Sequence, residues 1–85
     1  MPKQPQTPQK YIAIGRFHKY KGLYQLRIGL FDDGIESSVK SLKAFGSVSA
    51  LKEKDDCLQE LLSYLVKLSK SLELKHIMKL KEAYE

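Results

Sequence analysis

The sequence predicts an α+β domain: an N-terminal antiparallel β-hairpin packed against two to three helices. Three observations carry that expectation. Tyr11 to Phe31 is rich in aromatic and β-branched residues and holds a Lys21-Gly22 pair suited to a two-residue turn. Ile35, Val39, Leu42 and Phe45 recur at helical spacing. Leu58, Leu61, Leu62, Leu65, Leu68 and Leu72 form a longer stripe of the same kind.

The hairpin has a definite register. With Lys21-Gly22 as the loop, Tyr20 faces Leu23, and the pairs Phe17/Leu26, Gly15/Ile28 and Ala13/Leu30 share one face with Tyr11 and Tyr24. The other face holds His18/Gln25, Arg16/Arg27, Ile14/Gly29 and Ile12/Phe31. A slip of one residue would mix apolar and charged positions. The expectation is that Phe17, Tyr24, Leu26, Ile28 and Leu30 pack inward, while Arg16, His18, Gln25 and Arg27 stay exposed.

Residues 1–9, a run of Pro, Gln, Lys and Thr, read as a mobile tail before a single domain over 10–85. After the hairpin, Asp33 is placed to cap a helix, with Glu36 three residues on and Gly46 at the position of a C-terminal cap. Asp-Gly at residues 33–34 also allows a short third strand. From about Asp55 a long C-terminal helix begins, with acids near its start and Lys67 and Lys70 further along, as the helix dipole favours. Its apolar phase shifts after Leu72, so a break is expected near residues 71–73.

Charge gives the functional lead. The net charge is +5, and both arginines of the chain, Arg16 and Arg27, lie in the first 31 residues, where there is no Asp or Glu. In the hairpin register these guanidiniums stand opposite each other, an arrangement that costs stability. A bound phosphate would relieve it through bidentate, charge-assisted bonds. His18, Lys19, Tyr20, Lys21 and Gln25 surround the pair, so that Tyr20 can stack on a base and Gln25 can hydrogen-bond one. Lys75 and Lys79, four residues apart, extend the candidate surface.

The same pattern has other readings: a solvated face whose arginines splay apart, or a pairing with an acid elsewhere in the fold. Asp32 and Asp33 fit helix capping better than metal binding. His18 and His76 have no catalytic partner at motif spacing, and Cys57 stands alone. No catalytic motif, cofactor motif or metal motif is present. The start of the chain lacks the apolar core of a signal peptide, and no apolar run reaches the roughly 18 residues of a membrane span. These features point to a soluble, intracellular protein, cytoplasmic or associated with the nucleoid or nucleus.

A small sheet with a helix behind it and one basic face free is similar, as an analogy of shape without a shared motif, to integrase arm-binding and AP2-type DNA-binding domains. The function expected is a non-enzymatic nucleic-acid-binding factor, for DNA more than RNA, of the kind a virus or mobile element carries. The alternative is a small protein-interaction module or inhibitor, acting through the leucine stripe or a sheet edge. A homodimer is compatible with both.

Overall fold

The computed structural model describes residues 7–85, and among them there is no strand. Four helices follow one another: α1 (Thr7–Arg27), α2 (Phe31–Ser47), α3 (Leu51–Lys67) and α4 (Leu74–Tyr84). The α+β expectation is therefore overturned, and with it the hairpin, its sheet edges and the analogy to sheet-based DNA-binding domains. Thr7 to Gln9 belong to the first turn of α1 instead of a tail, while residues 1–6 lie outside the described part.

The segment read as two strands and a turn is one helix, because its glycines serve as contacts. Gly15 and Gly22 lie seven residues apart, hence on one side of α1. That side meets the small residues Gly34, Ser37, Ser38 and Ser41 of the antiparallel α2. A methyl group at Gly22 would lie 2.9 Å from the Gly34 carbonyl oxygen and 3.1 Å from Ser38 Oγ. One at Gly34 would lie 2.9 Å from the Gly22 carbonyl and 2.7 Å from Leu26 Cγ. At Gly15 it would strike the Phe45 ring, 2.6 Å away. The two backbones touch, which glycine alone permits.

Hydrogen bonds fix this contact. Ser41 Oγ donates to the Gly15 carbonyl at 2.7 Å, crossing from α2 to α1. Since that hydroxyl proton is committed, the Cys57 thiol, 3.3 Å away on α3, donates to Ser41 in turn. One relay thus joins three helices. Ser37 Oγ donates to Gln25 Oε1 at 2.6 Å, and Lys19 Nζ of α1 reaches Glu60 of α3 at 2.9 Å.

Helix α2 is the centre of the fold, with partners on both sides. Its small stripe receives α1. Ile35, Val39, Leu42 and Phe45, the stripe legible in the sequence, enter the main core with Leu26, Cys57, Leu61, Leu65 and Leu80. On α3, Leu61 and Leu65 are buried, whereas Leu62 is exposed. The chain leaves the helix after Lys67 and re-enters at Leu74. The break thus separates two helices, and α4 packs back against α2.

The expected caps are displaced. Helix α2 begins at Phe31 after Leu30, with no side-chain cap; Asp32 and Asp33 sit in its first turn, where the dipole favours anions. Gly46 is inside α2. Three helices instead end in the same six-residue turn, with the left-handed position at Gly29 (φ 92°), Ser49 (φ 56°) and Ser69 (φ 58°). In each, the next amide returns to a carbonyl five residues back: Leu30 to Gln25, Ala50 to Phe45 and Lys70 to Leu65.

Packing therefore decides the sign of a glycine substitution. Gly22→Ala should destabilise the protein by about 1–3 kcal/mol, because its methyl meets backbone that cannot yield. Gly46→Ala, with open space around the site, should stabilise it by up to about 1 kcal/mol through helix propensity. Denaturant midpoints of the two variants check this pair, and a stabilising Gly22→Ala would remove the close contact.

Candidate interaction surface on the first helix

Because α1 turns its glycines inward, several of its large side chains face outward. Phe17, Tyr20 and Tyr24, with Ile28 in the turn directly after the helix, follow at spacings of three and four along one side. They are 61, 60, 60 and 51 % exposed. Of the five residues expected to pack inward, only Leu26 is buried; Phe17, Tyr24, Ile28 and Leu30 are not.

Cations border this apolar line. At 100° per residue, Lys10 and Lys21 fall on one flank and Arg16 and Arg27 on the other. All four side chains are exposed. Lys21 Nζ lies 5.8 Å from the centre of the Phe17 ring, and Lys19 Nζ 5.1 Å from that of Tyr20. No acid occurs in α1. The arginines are eleven residues apart, about 16 Å along the helix axis at its rise per residue. They form no cross-strand pair, so the repulsion that called for a phosphate between them is absent.

The nine residues singled out from the sequence divide into three groups. Arg16, Tyr20, Lys21 and Arg27 share the outer side of α1 and remain candidates. His18, Lys19 and Gln25 serve the packing: Lys19 is nearly covered and paired with Glu60, and Gln25 accepts from Ser37. His18 is half-buried, stacked edge-on with Phe17 at 5.2 Å, with its Nδ1 buried and unpartnered. Burial first, then the charges of Lys40 and Lys21, hold its pKa below the ordinary value, which favours the neutral ring. Lys75 and Lys79 are on α4, beside Glu73 at 3.7 Å and Glu36 at 3.2 Å, apart from the α1 surface.

Sequence reasoning missed Lys10, Phe17, Tyr24 and Ile28 as surface residues. A period of 3.6 through residues 10–28 finds them, once Gly15 and Gly22 are read as the inward positions.

Two polar clusters elsewhere are structural. The Cys57 thiol is buried, and burial pushes its pKa up, which makes it a poor nucleophile. Around His76 a buried ring joins α2 to α4. Its Nδ1 accepts the Glu73 amide proton at 3.2 Å, closing a capping box at the start of α4. Nε2 therefore carries the proton and donates to Asp32 Oδ1 at 2.9 Å. Phe31 packs edge-on against the same ring. Among the described residues no group of three or more His, Cys, Asp and Glu could hold a metal ion, and no helix is long and apolar enough to cross a membrane.

The Asp32 contact predicts a pH effect. The His76 hydrogen bond first, and the Lys75 charge second, hold the Asp32 carboxyl below its ordinary value of 3.8. An acid held low contributes stability above its unfolded pKa and loses it as pH falls through the folded one. Asp32→Ala should therefore melt below wild type at neutral pH, and the two melting curves should converge as pH drops from 3.8 downward. A gap that persists in strong acid would show that the carboxylate charge does not matter.

No protein-family model, no curated protein and no solved structure matches this chain.

Proposed function

We propose that this protein acts by binding, without catalysis, and that the outer side of α1 is a docking helix for an acidic surface of a partner protein. The observation that carries the reading is the row of Phe17, Tyr20, Tyr24 and Ile28, each half or more exposed, along a helix without acids and the first residue after it. Aromatic residues and arginine are the side chains that dominate binding energy at protein interfaces. Covering one such apolar side chain contributes about 1.5–3 kcal/mol. Lys10, Arg16, Lys21 and Arg27 would form a rim that attracts carboxylates, speeds encounter and rejects basic partners.

A second reading is single-stranded nucleic acid. The absence of acids in residues 7–31 favours it, because rings can stack on bases while the flanking cations contact phosphates. Ile28 separates the two. An aliphatic side chain adds to a protein interface and offers no platform for stacking.

The probes are an amphipathic peptide rich in Leu, Phe, Asp and Glu and a set of single- and double-stranded oligonucleotides, each titrated at low and high salt. Under the docking reading the peptide binds. Phe17→Ala, Tyr24→Ala and Ile28→Ala each weaken it about tenfold or more, the factor that corresponds to 1.4 kcal/mol. Arg16→Ala and Arg27→Ala mainly slow association. Oligonucleotide binding that exceeds peptide binding, is lost in Tyr20→Ala and Tyr24→Ala, and ignores Ile28→Ala would replace docking with the second reading.

A further inference from the structure

The opposite sort of surface lies between α3 and α4. Leu58, Leu62 and Val66 recur every four residues on one side of α3. Leu62 and Val66 are 42 and 77 % exposed, and Leu74 and Ile77 of α4 are 71 and 46 % exposed. Between the helices runs a groove of about 280 Å³, walled by Leu58, Leu62, Leu72, Ile77 and Leu80, with Lys81 as its charged group. The Tyr84 hydroxyl, at the same groove, is bonded to Asp55.

From this we infer that the α3–α4 face is the contact between two copies of the chain. Exposure is the first argument. Leu62, Val66, Leu74, Ile77 and Met78 are each 42 % or more exposed on these two helices, and such a concentration of large bare apolar side chains marks an interaction surface.

Charge is the second argument, and it selects the occupant. A two-fold contact sets a surface against itself, so a patch of one sign repels its own copy. Helix α1, with cations on both flanks and no acid, is excluded from such a contact. Helix α4 is balanced: Glu73, Glu82 and Glu85 stand against Lys75, Lys79 and Lys81. Met78, Lys81, Glu82 and Glu85 border one surface. Two α4 helices crossing antiparallel can pair each Lys81 with a carboxylate of the other copy while the groove residues meet across the axis. This contact leaves α1 outside the interface and does not depend on what α1 binds.

Sedimentation of the full chain across the micromolar range, at low and high salt, tests the contact. The expected result is a monomer–dimer equilibrium that high salt weakens only slightly, because salt screens the Lys81 pairs but not the apolar burial. Val66→Glu and Leu74→Glu should each weaken self-association about tenfold or more. Both positions are exposed in the single chain, so helical content and the melting point of the dilute protein should stay as in wild type. A wild type that remains monomeric throughout overturns the inference. So does a dimer that survives both substitutions, and so does one that Tyr24→Glu breaks instead.

Discussion

The close approach of α1 and α2 at Gly22 and Gly34 is the constraint on which the other features rest. Helices that pack through large side chains stand 8–10 Å apart. Here each glycine's carbonyl lies within 2.9 Å of where the other's methyl would be, so the backbones themselves form the interface. Dispersion contacts are dense over such a surface, and a serine hydroxyl reaches the opposite backbone directly, as Ser41 reaches Gly15. Each mid-helix glycine costs up to about 1 kcal/mol relative to alanine in propensity. The tertiary contact offsets that cost, so neither the helical state of α1 nor its position is set locally.

The arrangement inverts the usual amphipathic helix. In α2 and α3 the inward positions are bulky: Ile35, Val39, Leu42 and Phe45, with Leu61 and Leu65, carry the core. In α1 the inward positions are Gly15, Gly22 and Leu26, with Lys19 and Gln25 tied to neighbouring helices. Phe17, Tyr20, Tyr24 and Ile28 are left outside because the contact with α2 has no room for them. Tight packing on one side of a helix thus creates an apolar, cation-bordered surface on the other. The docking proposal is a consequence of that geometry and does not depend on how strands pair.

A different kind of joint holds α4. It is short and joins the common core through Leu80 and Ala83, supplemented by the His76 contacts. The His76 ring caps its own helix with one nitrogen and reaches Asp32 with the other. Both nitrogens of a buried imidazole are thereby satisfied, which burial demands. The Lys79–Glu36 pair is exposed and adds little on its own. The apolar side chains that α4 leaves uncovered, Leu74, Ile77 and Met78, lie away from this joint.

Several features were determined by the sequence alone. The stripe of Ile35, Val39, Leu42 and Phe45 defines a helix and its buried side, because four large residues at that spacing can share a face in no other regular structure. The stripe that holds the buried Leu61 and Leu65, together with the exposed Leu62, and the acid-free basic character of the first 31 residues are legible in the same way; so is a break near residues 71–73, although the helix already ends at Lys67. Tertiary structure decided the state of residues 11–31. Their alternation of large and polar residues fits a strand pair, and Lys21-Gly22 fits its turn, while a helix there has an inward face made of glycines that no count of hydrophobicity detects. Only the presence of Gly34, Ser38 and Ser41 on a neighbouring helix gives those glycines a function. Contact between residues distant in the chain chose helix over hairpin, and that choice placed Phe17, Tyr24 and Ile28 on the surface.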